Sequence, residues 1–275
     1  MKRIADMSEQ HKEKKVEQEK NISRRDILKL LAVGFGAITV TQVASLPARK
    51  SSTSETAESE YQWAMGIDTN LCIGCKYCTY ACQAINDLRT NEMAYNVVSQ
   101  ETTPNGTEYF LSRPCMQCEE PPCVHVCPVE ATYLRPDGIV TMDYKLCIGC
   151  RYCQVACPYD ARVFNWQKPT GENPRVPEFG TPEVEPRPRG VMEKCAFCQH
   201  RIDAGLERHL VPGVDEQATP ACVVACPTGA RVFGNLKDPE SPISKLLTNT
   251  TAPLVLREDL STEPKVFYVP PREEA

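Results

Sequence analysis

Residues 146–164, LCIGCRYCQVACPYDARVF, place four cysteines within eleven positions. They are Cys147, Cys150, Cys153 and Cys157, and Pro158 follows the last. A near copy, LCIGCKYCTYAC, fills residues 71–82 with Cys72, Cys75, Cys78 and Cys82. A second group holds Cys115, Cys118, Cys123 and Cys127, and a fourth holds Cys195 and Cys198, then Cys222 and Cys226 after a long gap. These four groups use all sixteen cysteines of the chain.

Three chemistries use cysteine this densely. A disulfide framework suits an even count in an exported chain, but thiols this close in sequence cannot easily meet bridge geometry with one another. Structural zinc takes two C-x2-C pairs separated by a longer stretch and closes one tetrahedron. The fourth group has that form; the first and third do not. The run C-x2-C-x2-C-x3-C-P is an iron–sulfur signature, in which the fourth cysteine serves a second cluster. A tight loop wraps three corners of a cubane when two residues separate successive thiols. Gly74 and Gly149 stand where such a turn calls for positive φ. The next cysteine falls on the following helical turn and points away, so the sites come in pairs. A zinc- or disulfide-stabilised binding module is the alternative from a different class.

The flanks extend the pattern into a fold. Pro128, Pro158 and Pro227 follow the last cysteines of three groups, and proline stops a helix. The first group has Gln83 instead, so its helix is expected to run on through QAINDL. Cys127-Pro128…Ala131-Thr132, Cys157-Pro158…Ala161-Arg162-Val163-Phe164 and Cys226-Pro227…Ala230-Arg231-Val232-Phe233 repeat one phrase, a helix end turning into a strand. ATYLR, PDG and IVTMD predict a β-hairpin turning at Pro136-Asp137-Gly138. WAMGID, before the first group, is a strand candidate. The expected class is α+β: two ferredoxin-like domains, each with two clusters, an irregular Pro-rich insertion over 165–194 and a C-terminal extension over 241–275. The insertion, with six prolines, reads as an ordered loop that contacts a partner or as a solvated excursion.

Of the 275 residues, the first 48 stand apart. Ser23-Arg24-Arg25-Asp26-Ile27-Leu28-Lys29 precedes the apolar run LLAVGFGAITV, residues 30–40. That run is too short to span a bilayer and suits the core of an export signal. Arg24 and Arg25 with this flank resemble a twin-arginine motif, with Ile27 where Phe is usual. Residues 1–48 are therefore expected to be a signal segment, 49–60 a flexible linker and 61–275 the four-cluster region. Val43-Ala44-Ser45 and the Ala48–Arg49 bond are both cleavage candidates. The expected location is the periplasm or the extracytoplasmic face of the cytoplasmic membrane, reached by folded export. The formal charge of −5 and the lack of a basic stripe argue against nucleic acid.

RPCMQCEEPPCVHVCPVEATY, DGIVTMDYKLCIGCRYCQVACPYDARVFNW, EKCAFCQHRIDAGL, PACVVACPTGARVFGNLKDPESPISKLL and KVFYVPP together resemble the iron–sulfur (beta) subunits of the dimethyl sulfoxide reductase family of molybdenum enzymes. The resemblance covers roughly residues 61–270. It implies four [4Fe–4S] clusters with ligands shared between groups. Cys72, Cys75 and Cys78 would take Cys226, and Cys195, Cys198 and Cys222 would take Cys82; this outer pair draws on 61–112 with 190–240. Cys115, Cys118 and Cys123 would take Cys157, and Cys147, Cys150 and Cys153 would take Cys127; this inner pair draws on 113–164. The four sets are called here the Cys72, Cys82, Cys115 and Cys127 sets.

The implied role is one-electron transfer between a molybdopterin catalytic subunit and a membrane quinone-reactive subunit or a cytochrome, in an anaerobic type of respiration. The alternatives are a beta subunit of a periplasmic hydrogenase or sulfur-metabolism membrane complex, and a free-standing polyferredoxin. The chain carries no nucleophile–base pair and no phosphate loop, so it is expected not to be an enzyme by itself. Lys76 and Arg151, at matching positions, are candidates for tuning cluster potential, or are plain surface charge. His125 and His200 are expected to pack or hydrogen-bond rather than to ligate. Met116 and Tyr77 are expected to shield clusters, and Trp63 and Trp166 to lie in the core.

Overall fold

A computed structural model describes residues 59–89 and 93–272, which lie in one compact unit. Arg24, Arg25 and the signal segment, together with nearly all of the linker, lie outside the described residues. The central element is a three-stranded sheet made from distant parts of the chain. β1 (Trp63–Asp68) lies in the middle, antiparallel to β8 (Arg231–Asn235) and parallel to β9 (Val266–Val269).

Both faces of β1 are buried. On one face, Ala64 and Gly66 leave room for the helix α6 (Pro242–Thr248); a Cβ on Gly66 would lie 2.3 Å from Leu246. α6 starts as its sequence dictates: Ser241 Oγ accepts from the Ser244 N–H, and Pro242 occupies the first turn. On the other face stand Trp63, Met65 and Ile67, facing Phe233 and Arg231 across the ladder. Trp63 stacks on Phe233 at 5.6 Å, and Phe197 meets Phe233 edge-on at 5.3 Å. Burying such side chains stabilises the fold by about 1.5–3 kcal/mol each.

The remaining strands form two-stranded pairs. β2 (Val97–Thr102) pairs with β3 (Glu108–Arg113), β4 (Thr132–Leu134) with β5 (Val140–Met142), and β6 (Arg162–Phe164) with β7 (Met192–Lys194), all antiparallel. β4 and β5 are the expected hairpin, with Gly138 at φ 81° in its turn. The sequence reading assigns no element to β2–β3 and no sheet partner to β9.

Helix lengths follow the prolines. α2 (Pro122–His125), α3 (Tyr152–Val155) and α5 (Ala221–Val224) each have four residues and end just before Cys-Pro. α1 (Tyr77–Ile85), which lacks the proline, runs for nine. α4 (Gln199–Glu207) also has nine, because Cys222 and Cys226 come from a separate segment. Among the described residues no helix is long and apolar enough to cross a membrane.

The Pro-rich insertion is irregular, and it folds back on its own chain. Its neck is closed by Asn165 N–H to Val191 O at 2.9 Å and Gly190 N–H to Asn165 O at 2.8 Å. Its body lies on α1. Asn173 Nδ2 donates to Gln83 O at 3.0 Å, Arg175 lies over the Tyr80 ring at 4.0 Å, and Phe179 meets Tyr77 and Tyr80. Glu183 then holds His200 and Arg201 of α4, each at 3.0 Å. Trp166 departs from expectation: it is 62% exposed, with Arg151 4.6 Å above its ring. It lies two residues past the end of β6, edge-on to Phe164 at 4.5 Å.

Candidate metal centre

Each C-x-x-C loop is built the same way. The residue before the second cysteine has positive φ in all four: Gly74 (71°), Gln117 (50°), Gly149 (69°) and Phe197 (51°). At this position the left-handed turn swings the second thiol round to the side of the first. Glycine reaches it without strain. Gln117 and Phe197 are buried and offset the cost with their side chains. Gln117 Nε2 donates to Cys195 O at 2.7 Å and its Oε1 accepts from Val140 N at 2.8 Å. Lys76 and Arg151, also left-handed, then start α1 and α3.

Two of the four sets line cavities. Cys72, Cys75, Cys78 and Cys226 line one with Gly74, Ser112 and Arg231. Cys82, Cys195, Cys198 and Cys222 line another with Lys194 and Phe197. In the interior, Cys118 lies in the field of Cys115, Cys123 and Cys157. Cys153 lies in the field of Cys127 and packs near Cys147. Cys150 is exposed on its loop. Neighbouring sets also approach one another: Cys222 interacts with Cys78, Cys195 with Cys115, and Cys153 with Cys123. Charge interactions thus link the sets in the order Cys72, Cys82, Cys115, Cys127.

None of the sixteen cysteines is paired in a disulfide. Burial and crowding work against charge on their sulfurs. Burial pushes the Cys82 thiol well above its ordinary value, and Cys198, Cys195 and Cys222 push it further. Burial, then Cys115, takes Cys118 to about 12; burial, then Cys222, takes Cys195 to about 12 as well. Crowded, desolvated sulfurs resist carrying charge unless a cation is bound among them, and a coordinated thiol is deprotonated outright.

A single ion is a poor match. One ion held at about 2.3 Å from each sulfur would draw the sulfurs almost into contact. Among the described residues no three His, Cys, Asp or Glu side chains converge in that way. The sulfurs surround spaces instead. Buried donors beside them add a second mark. Arg231 hydrogen-bonds the Cys222 sulfur and interacts with Cys78, and Arg162 hydrogen-bonds the Cys123 and Cys153 sulfurs. One further N–H of each, Arg231 Nε and Arg162 Nη2, is buried with no protein acceptor. Buried N–H groups gathered at a sulfur cage suit a group that brings acceptor sulfides of its own. The residues therefore fit iron–sulfur clusters.

Of the other expected residues, Met116 is buried and Trp63 is core, donating from Nε1 to Asp137 Oδ2 at 3.2 Å. Tyr77 is half-exposed against Phe179, and His125 is exposed. Lys76 and Arg151 are exposed on their loops. The buried cations are Arg162, Lys194, Arg231 and Lys265, and the first three lie beside cysteines. The repeated Ala-Arg-Val-Phe phrase is the one sequence signal for Arg162 and Arg231, since strand alternation places Arg and Phe on the same, inward face; Lys194 has no such signal.

Two 4Fe-4S dicluster domain families match the chain, one over residues 107–176 and one over 146–230. A Halobacterium salinarum protein named as the iron–sulfur B subunit of a dimethyl sulfoxide reductase is 41% identical over 222 residues, covering 75% of this chain and 78% of its own. The B subunit of the selenate reductase of Mesobacillus selenatarsenatis is 36% identical, covering 91% of this chain and 98% of its own. The menaquinone reductase iron–sulfur cluster-binding subunit of Nitratidesulfovibrio vulgaris is 40% identical, covering 78% and 91%.

Proposed function

Because this chain belongs to the iron–sulfur B subunits of dimethyl sulfoxide reductase-family enzymes, we propose that it carries single electrons through four [4Fe–4S] clusters. The route joins a molybdopterin-containing catalytic subunit to a membrane partner that reacts with quinone, or to a cytochrome. As in its relatives, the chain is a subunit of a reductase complex, and catalysis belongs to a partner. The clusters, when bound, supply one-electron oxidation and reduction; the chain sets their positions and surroundings.

The ligands proposed are the four interleaved sets: Cys72, Cys75, Cys78 and Cys226; Cys82, Cys195, Cys198 and Cys222; Cys115, Cys118, Cys123 and Cys157; Cys127, Cys147, Cys150 and Cys153. The observation that carries the proposal is the meeting of sulfurs from separate groups, Cys82 with Cys195, Cys198 and Cys222 above all. A chain of self-contained C-x-x-C sites has no reason to bring them together.

The two end sets would be the points of entry and exit. Their loops carry matching exposed apolar residues, Leu71, Ile73 and Tyr77 at one and Leu146, Ile148 and Tyr152 at the other. Water-exposed residues of this kind suit surfaces that become covered on assembly. The relative that is part of a menaquinone reductase favours a quinone-reactive partner at one end. Arg24 and Arg25 support folded export, which places the protein outside the cytoplasmic membrane after its clusters are inserted.

A gentle affinity purification from membranes, with metal analysis, tests the proposal. Molybdenum or tungsten with a large partner protein is the expected result. Nickel would point to the hydrogenase alternative, and a chain recovered alone would point to the free-standing one.

A further inference from the structure

We propose that Arg231, Lys194 and Arg162 form a row of buried cationic side chains, one at each junction between neighbouring clusters, that raises the potentials of the two clusters on either side. The inference rests on the four-cluster assignment above and goes beyond it by naming the residues that set the potentials.

The three side chains are almost completely buried, at 4%, 2% and 2% exposure. Each lies between two sets. Arg231 interacts with Cys78 of the first and Cys222 of the second. Lys194 lies among Cys195 of the second and Cys115 and Cys123 of the third. Arg162 lies among Cys115 and Cys123 of the third and Cys153 of the fourth.

Apart from the cysteine sulfurs, Cys222 for Arg231 and Cys123 and Cys153 for Arg162, their hydrogen-bond partners are neutral. Arg231 donates to Ser112 Oγ at 2.6 Å, Asn96 Oδ1 at 3.3 Å and Met65 Sδ at 2.9 Å. Arg162 donates to Thr132 Oγ1 at 3.2 Å and Met142 Sδ at 3.3 Å. Lys194 Nζ donates to the carbonyls of Cys195 (2.8 Å) and Val140. Among the described residues none of the three forms an ion pair with a carboxylate, whereas Arg135, Arg201 and Lys265 all do.

A buried charge without a counter-charge costs several kcal/mol. Here it is worse, because Arg162 and Lys194 are direct cross-strand partners in β6–β7, and like charges so placed repel. The anions that face them are the thiolates of the cluster ligands, so the cations and the clusters compensate each other. An electron that hops oxidises one cluster and reduces the next, with no bond made and no proton moved. A cation between the two stabilises the extra negative charge on either, and so raises both potentials.

The test is a redox titration followed by electron paramagnetic resonance on the full chain, purified anaerobically, with signals assigned through one Cys→Ser variant of each set. Arg231→Gln is expected to lower the potentials of the Cys72 and Cys82 clusters only. Lys194→Gln is expected to act on the Cys82 and Cys115 clusters, and Arg162→Gln on the Cys115 and Cys127 clusters. A tenfold change in the reduced-to-oxidised ratio, about 59 mV for a one-electron couple, is the expected scale. Arg231→Lys and Arg162→Lys, which keep the charge, are expected to stay near wild type.

Full iron with no shift overturns the inference, and so does an equal shift in all four clusters. Iron loss from the Gln and Lys variants alike also overturns it, since the residues would then serve assembly. A wild-type chain without about sixteen irons sinks the four-cluster assignment itself, before any potential is read.

Discussion

The half of the molecule around Cys72 and Cys82 and the half around Cys115 and Cys127 start from one cysteine phrase and are finished differently. The inner half is local: three-residue strands, four-residue helices, and a cysteine loop and helix with Ile148 63% and Val155 82% exposed. The outer half is assembled from both ends of the described chain. β1 takes partners from β8 and β9, well over a hundred residues away in sequence, and the insertion covers α1. The residue just before β9 also anchors the second cysteine loop, through Lys265 N–H to Met116 O at 2.9 Å. The difference teaches that the cysteine phrase builds a site, whereas long-range pairing decides how well that site is buried.

Five substitutions probe the contrast, beginning with the largest effect on stability. Phe233→Ala opens the aromatic stack under β1 and should cost about 3–5 kcal/mol. Thermal melting of the anaerobic holoprotein should drop by roughly 10 °C; a drop no larger than that of a surface variant would show that the outer core does not carry the fold.

Gly149→Ala and Gly74→Ala come next. Both positions have positive φ, but a Cβ on Gly149 would lie 2.1 Å from the Gly190 carbonyl oxygen, and one on Gly74 would lie 2.5 Å from the Phe110 ring. Backbone yields less than a side chain, so about 2 kcal/mol or more is expected at Gly149 against about 1 at Gly74. Iron retention during mild urea treatment would rank them, and the reverse order would break the comparison.

Glu183→Gln should have a smaller effect. Burial works against the Glu183 carboxylate, but hydrogen bonds from His200 and Arg201 outweigh it and hold its pKa below the ordinary range. A lowered acid contributes stability above its unfolded value, and that contribution is lost as pH falls through the depressed folded value. Hydrogen exchange over Asn173–Val184 should therefore speed up in Glu183→Gln at neutral pH, and in the wild type only on acidification below its ordinary value of 4.5. Because the pair is partly exposed, the effect should stay under about 1 kcal/mol. An exchange rate indifferent to the substitution would remove Glu183 as the clamp.

Trp166→Ala should leave stability within about 0.5 kcal/mol and weaken partner capture instead. A loss of partner affinity of about 2 kcal/mol or more would mark it as an anchor at the inner end. Unchanged capture together with a large loss of stability would return it to the core.

What is legible in the sequence is local chemistry. Cysteine spacing points to the paired sites, proline placement anticipates the short helices, and Pro136-Asp137-Gly138 marks the β4–β5 hairpin. β9 is not legible, because its pairing with β1 depends on a partner some 200 residues distant, and no local residue announces it. Gln117 and Phe197 hide left-handed turns that glycine would have signalled. Trp166 reads as core from its residue type, which says nothing of whether the chain just past a strand is covered. Arg162 and Arg231 stand in plain view inside the repeated phrase, Lys194 outside it, but the burial of all three depends on strand face and on the set of sulfurs each one meets.

The most direct test of the central claim is a count of iron and acid-labile sulfide in the anaerobically purified chain, with its paramagnetic spectrum after dithionite. The account predicts about sixteen of each per chain and a spectrum broadened by magnetic interaction between neighbouring clusters. Stoichiometric zinc with no paramagnetic signal would contradict it.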